Sequence, residues 1–60
     1  MERHQLSDGG LAIVKRLGHT YSFTRTYLSH QAPDCVFRIS KAKAYRLMED
    51  ALQRDVLELD

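Results

Sequence analysis

The spacing of apolar residues changes character three times along this 60-residue chain. Residues 1 to 10 follow no hydrophobic period, and Ser7-Asp8-Gly9-Gly10 is a run of turn formers, so this segment is expected to be a flexible N-terminal arm. From Leu11 the chain becomes β-prone. "LAIVKRL" (residues 11–17) and "TYSFTRTYL" (20–28) flank Gly18-His19, a pair suited to a two-residue type II′ turn with glycine at the first central position. That loop pairs Leu17 with Thr20, Arg16 with Tyr21, Val14 with Phe23 and Ala12 with Arg25. One face of the hairpin then carries Ala12, Val14, Arg16, Tyr21, Phe23, Arg25 and Tyr27. The other carries Leu11, Ile13, Lys15, Leu17, Thr20, Ser22, Thr24 and Thr26. Neither face is cleanly polar, so the pattern leaves open which one is buried, and a one-residue slip would exchange them.

"SHQAPD" reads as a loop, because Pro33 disfavours helix at Ala32. "CVFRI" (35–39) is a third β-prone run, with Cys35, Phe37 and Ile39 expected on one side and Val36 and Arg38 on the other. Ser40 is placed to cap a helix over residues 41 to 57. Within it Tyr45, Met48, Leu52, Val56 and Leu59 form an apolar stripe flanked by Ala44, Leu47 and Ala51, opposite a polar face. Arg46–Asp50 and Asp50–Arg54 are spaced for ion pairs along that face. The expectation is a single small α+β domain over residues 11 to 60: a hairpin, a third strand, and one long C-terminal amphipathic helix packed on the sheet.

Sixty residues is near the lower limit for independent folding, since a domain this size buries only about 60% of its unfolded surface. Phe23 and Phe37 are therefore both expected in the core. Cys35 is the only cysteine, so no internal disulfide can add stability, and it is expected as a small buried hydrophobe. A lone cysteine, the missing signal-peptide pattern and the lack of a membrane-length apolar run together predict a cytoplasmic protein away from the membrane. A homodimer is one way for so small a chain to gain buried area.

Charge adds information that the total of +1 conceals. Residues 11 to 46 hold seven basic residues against Asp34, a net +6, and residues 47 to 60 hold Arg54 against five acids, a net −4. The helix is charged against its own macrodipole, starting with Lys41 and Lys43 and ending with Asp55, Glu58 and Asp60. A basic helix start capped by Ser40 is suited to anions. The candidate contact residues for nucleic acid or another anion are Arg16, Arg25, Arg38, Ser40, Lys41, Lys43 and Arg46. Tyr21 and Tyr27 join them for stacking.

Catalytic and metal chemistry find no footing. His4, His19, His30 and Cys35 match no zinc spacing, no phosphate-binding glycine loop is present, and no nucleophile stands with a base. The expectation is a non-enzyme without a metal or cofactor.

Two resemblances bear on this. The order hairpin, strand, helix over residues 11 to 55 resembles the small arm-binding domains at the N-termini of tyrosine recombinases, which implies a three-stranded sheet laid in the DNA major groove. Separately, "ISKAKAYRLMED" resembles the recognition helix of excisionase-type helix-turn-helix proteins, which implies that Lys41, Lys43 and Arg46 meet DNA; "APDCVFR" is too short and β-prone for the preceding helix of that motif. The reading is a small DNA-binding or RNA-binding module, of a size found among phage and mobile-element regulators. The alternative is an adaptor or inhibitor whose basic patch meets an acidic partner protein.

Overall fold

The computed structural model describes residues 1–28 and 32–58. Its elements are β1 (Glu2–Gln5), β2 (Leu11–Leu17), β3 (Thr20–Arg25), β4 (Asp34–Ile39) and α1 (Lys41–Glu58). The strands form one antiparallel sheet in the order β1-β2-β3-β4, with the helix packed on one face. This is the expected α+β class with one more strand. Ser29, His30 and Gln31 of the expected loop lie outside the described residues, as does Leu59 of the expected stripe.

The additional strand corrects the expectation of an N-terminal arm. Glu2 to Gln5 pair with Val14 to Leu11. The turn formers close a tight hairpin: the Gly9 N–H donates to the Leu6 carbonyl at 3.0 Å, the Leu6 N–H to the Gly10 carbonyl at 2.9 Å, and Gly9 takes φ +88°. That is a short loop with a left-handed glycine. Hydrophobic period could not reveal β1, because an edge strand needs little burial and its polar side chains guard the sheet edge.

The Gly18 hairpin forms in the expected register, from Leu17↔Thr20 to Ala12↔Arg25. Gly18 has φ +63° while His19 does not turn left-handed, as a type II′ turn requires. The structure also decides the faces: Ala12, Val14 and Phe23 are buried beneath the helix. β3 ends at Arg25 rather than reaching residue 28. Beyond it, Thr26 is tied to the start of β2, its N–H donating to the Leu11 carbonyl at 2.8 Å and its Oγ1 accepting the Leu11 N–H at 2.7 Å.

The third expected strand is present as β4, but a bulge reverses part of its facing. Tyr21 pairs with Ile39 and Phe23 with Val36, so Ser22 alone stands opposite Phe37 and Arg38. Val36 and Ile39 therefore share the helix side, while Cys35 and Phe37 turn to the other. Phe37 is 61% exposed and Cys35 is exposed, which corrects the expectation that both are buried. Arg38 sits at the bulge with φ +58°. Left-handed backbone costs a non-glycine residue about 1–2 kcal/mol. Arg38→Gly is thus expected to raise stability by about 0–1.6 kcal/mol, after roughly 0.4–1 kcal/mol is lost to the freer unfolded chain. Thermal unfolding checks this, and a clear loss would show that the arginine side chain holds the bulge.

The helix begins as expected. The Ser40 Oγ accepts the Lys43 N–H at 3.1 Å, and the Ser40 carbonyl accepts the Ala44 N–H at 3.0 Å. Its buried line is Ala44 and Met48, with Leu47, Ala51 and Leu52 partly covered. Tyr45 and Val56, expected in the stripe, are 37% and 65% exposed. Ala12 of the sheet and Ala44 of the helix are both fully buried in the same cluster. Asp55 meets Ser7 in the first turn at 2.7 Å, so Val56 and Leu57 overhang the end of the sheet. The helix crosses β2 and β3, leaving Val36 of β4 38% exposed on the same side. Among the described residues no helix is long and apolar enough to cross a membrane.

Candidate functional site

The antiparallel registers give the sheet two chemically different ends. At one lie the start of β1, the Gly18-His19 turn, the end of β4 and the start of α1. At the other lie the Ser7–Gly9 turn, Thr26, Asp34 and the end of the helix, which Ser7 and Asp55 bring together.

The first end is basic. It gathers Arg16, Arg38, Ser40, Lys41 and Lys43, with Glu2 the one acid among its strand residues. Arg16 is held in a bent pose by donating Nε–H to the Gly18 carbonyl at 2.9 Å. Arg46 stands one turn along the helix, exposed and away from the sheet. Tyr21 is half-buried, its ring tilted 58° against Tyr45 at 6.5 Å between centroids. Of the nine expected contact residues, seven therefore share this half of the molecule.

Arg25 and Tyr27 belong to the other end. The Arg25 side chain, only 12% exposed, pairs with Asp8 at 3.4 Å, donates to the Thr26 carbonyl, and lies 4.1 Å above the Tyr27 ring. Tyr27 donates its hydroxyl to Asp34 at 2.7 Å, which raises its pKa above the ordinary phenol value. The Gly10 N–H, donated to Asp8 at 2.8 Å, lowers the Asp8 pKa, and Arg25 lowers it further. These groups line a cleft of about 310 Å³ between the helix and the β3–β4 side, floored by Phe23, Val36 and Leu47. Its rim holds Asp8, Asp34, Asp50 and Asp55 against Arg25 and Arg54. The expected Arg46–Asp50 and Asp50–Arg54 pairs do not close. Among the described residues the Lys or Arg ion pair is Arg25–Asp8, and His4 lies 3.3 Å from the Glu2 carboxylate.

The face of the sheet away from the helix was not singled out from the sequence. Register places Arg3 and Gln5 of β1, Ile13, Lys15 and Leu17 of β2, Thr20, Ser22 and Thr24 of β3, and Cys35 and Phe37 of β4 there. It carries two cations, the hydroxyls of Thr20 and Thr24, an exposed ring and no carboxylate, with the Ser22 side chain buried. The signal was present in the hairpin register, which already grouped Lys15 with Thr20, Ser22 and Thr24. Reading it required knowing which face the helix covers. Arg3 was hidden because β1 itself was.

Comparison with known protein families, with curated proteins and with solved structures found no match in any of the three.

Proposed function

We propose that this chain is a small nucleic-acid-binding module that grips phosphates through its basic end and lays the uncovered sheet face against the strand or duplex. The observation that carries this reading is the segregation of charge. Cations without carboxylates line the open face, Arg16, Arg38, Lys41 and Lys43 crowd the adjoining end with Glu2 as its strand acid, and Asp8, Asp34, Asp50 and Asp55 collect at the opposite end around Arg25 and Arg54. A nearly neutral chain with charges so sorted can orient on a polyanion although its net charge draws it only weakly. The helix N-terminus adds its own positive dipole end to the same region. In this mechanism Lys and Arg side chains displace counterions from phosphates. Thr20, Thr24 and Gln5 offer hydrogen bonds, and Phe37 offers a flat surface to an unstacked base.

Fluorescence anisotropy with generic duplex and single-stranded DNA at two salt concentrations tests the reading. Binding is expected to weaken steeply with salt, and the joint change Lys41→Ala, Lys43→Ala, Arg46→Ala to make the log K–log salt slope shallower by about 2–3. Lys15→Ala on the open face is expected to weaken binding on its own. An absence of binding at low salt, or indifference to these changes, would remove the proposal.

A second reading, an adaptor docking on a partner protein, draws on the acid-rimmed cleft and on the uncovered apolar residues of β4. It predicts no salt-dependent DNA binding and leaves the basic end free to meet an acidic partner.

A further inference from the structure

Strand β4 is the part of the sheet that the domain leaves unfinished. The two edges of the sheet differ sharply. β1 presents Glu2, Arg3, His4 and Gln5, the charged and polar guard expected of an edge kept from pairing. β4 presents Cys35, Val36 and Phe37 in succession, all exposed. From Asp34 to Phe37 neither face of this strand is closely covered: Val36 stays 38% exposed on the helix side and Phe37 stands uncovered on the other, while Ile39 beyond the bulge packs against the core. The stretch that can accept a further strand runs from Asp34 to the bulge at Arg38, where the left-handed backbone bends the edge away.

We propose that β4 pairs antiparallel with β4 of a second copy of this chain, about a two-fold axis at Val36. Charge complementarity of the two ends of the sheet selects the partner and its direction, and the bulge selects the register. The stretch free to pair is centred on Val36, so an axis there uses all of it, whereas an axis at Phe37 would carry the pairing into the irregular backbone at Arg38. The same two-fold sets the basic end of each copy, with Lys41 and Lys43, beside the acidic end of the other, with Asp50 and Asp55. A parallel arrangement would set like beside like. The association closes at two copies, because the outer edges are then both the guarded β1. The product is an eight-stranded sheet with both helices on one side and both open faces on the other. The inference does not rest on the nucleic-acid reading, since it concerns an edge rather than a charged face, and either can fail alone.

Sedimentation over a roughly hundredfold concentration range is expected to show a monomer–dimer equilibrium. Val36→Lys sets two ammonium groups opposite each other at the axis and is expected to weaken association at least about tenfold, with helical circular dichroism unchanged. Cross-linking tests the register and stands even if that variant does not fold. Val36→Cys in a Cys35→Ser chain places two thiols directly opposite, about 4.5–5.5 Å apart between Cα atoms, within disulfide reach. Phe37→Cys in the same background leaves them two residues out of step, beyond about 7 Å. Rapid oxidation to a dimer by the first and not the second supports the proposal. A strict monomer, a dimer indifferent to Val36→Lys, or equal cross-linking by both thiols would overturn it.

Discussion

Phe23→Ala is expected to unfold this domain, whereas Phe37→Ala leaves it folded. The two side chains are chemically identical and sit on neighbouring strands, so the contrast isolates placement. Phe23 is 7% exposed beneath the helix, in one cluster with Val14, Ala44 and Met48. Removing a buried phenylalanine costs about 3–5 kcal/mol through lost transfer energy and the cavity left behind. A core of this size supplies only about 3–5 kcal/mol in total. Phe37 is 61% exposed on the open face, where truncation costs within about 0.5–1 kcal/mol. Urea denaturation followed by circular dichroism measures both. Equal effects would mean that the helix covers the other face or that β4 carries no bulge.

Gly10→Ala is expected to be as damaging, by a different route. Gly10 is buried beside the end of β3, and a Cβ there would fall on the Thr26 carbonyl oxygen and close to the Arg25 guanidinium. The obstacle cannot step aside, because it is backbone, and Thr26 is anchored to Leu11 by the 2.8 Å bond from its N–H. A forced separation here loosens the β2–β3 ladder and the Arg25–Asp8 pair together, at a cost of roughly 3 kcal/mol or more. Gly18→Ala provides the control: nothing lies within 4 Å of its Cβ position, so only the left-handed backbone is penalised, by about 1–2 kcal/mol. The order of midpoints, wild type above Gly18→Ala above Gly10→Ala, checks the argument in thermal unfolding.

How much of this was legible in the residues depends on whether the signal was local. The Gly18 turn fixes its own geometry and with it the whole β2–β3 register, so that pairing could be written down from the chain. The Ser40 cap and the start of the helix are local in the same sense. β1 was not legible, because a strand that buries almost nothing leaves no alternation to find. The facing of Phe37 was not legible either: the bulge depends on how β4 meets Ser22, and a one-residue irregularity turns Phe37 from core to surface. The candidate site divides along the same line. Arg16, Arg38, Lys41 and Lys43 were found by their crowding in the chain. Arg25 and Tyr27 join them through the hairpin face they share with Arg16 and Tyr21, although the fold carries them to the end with Asp8 and Asp34. Lys15 and Arg3 needed the covered face to be known first.

The order of strands in space repeats their order in the chain, and this has a kinetic consequence. Each sheet contact joins neighbours across a short connection, so little loop entropy opposes the zipping of β1 through β4. One tie reaches across almost the whole sequence: Asp55 to Ser7, 48 positions apart. The sheet can therefore assemble as a ribbon of local steps, whereas the cluster of Val14 and Phe23 with Ala44 and Met48 closes only when α1 lies down on it.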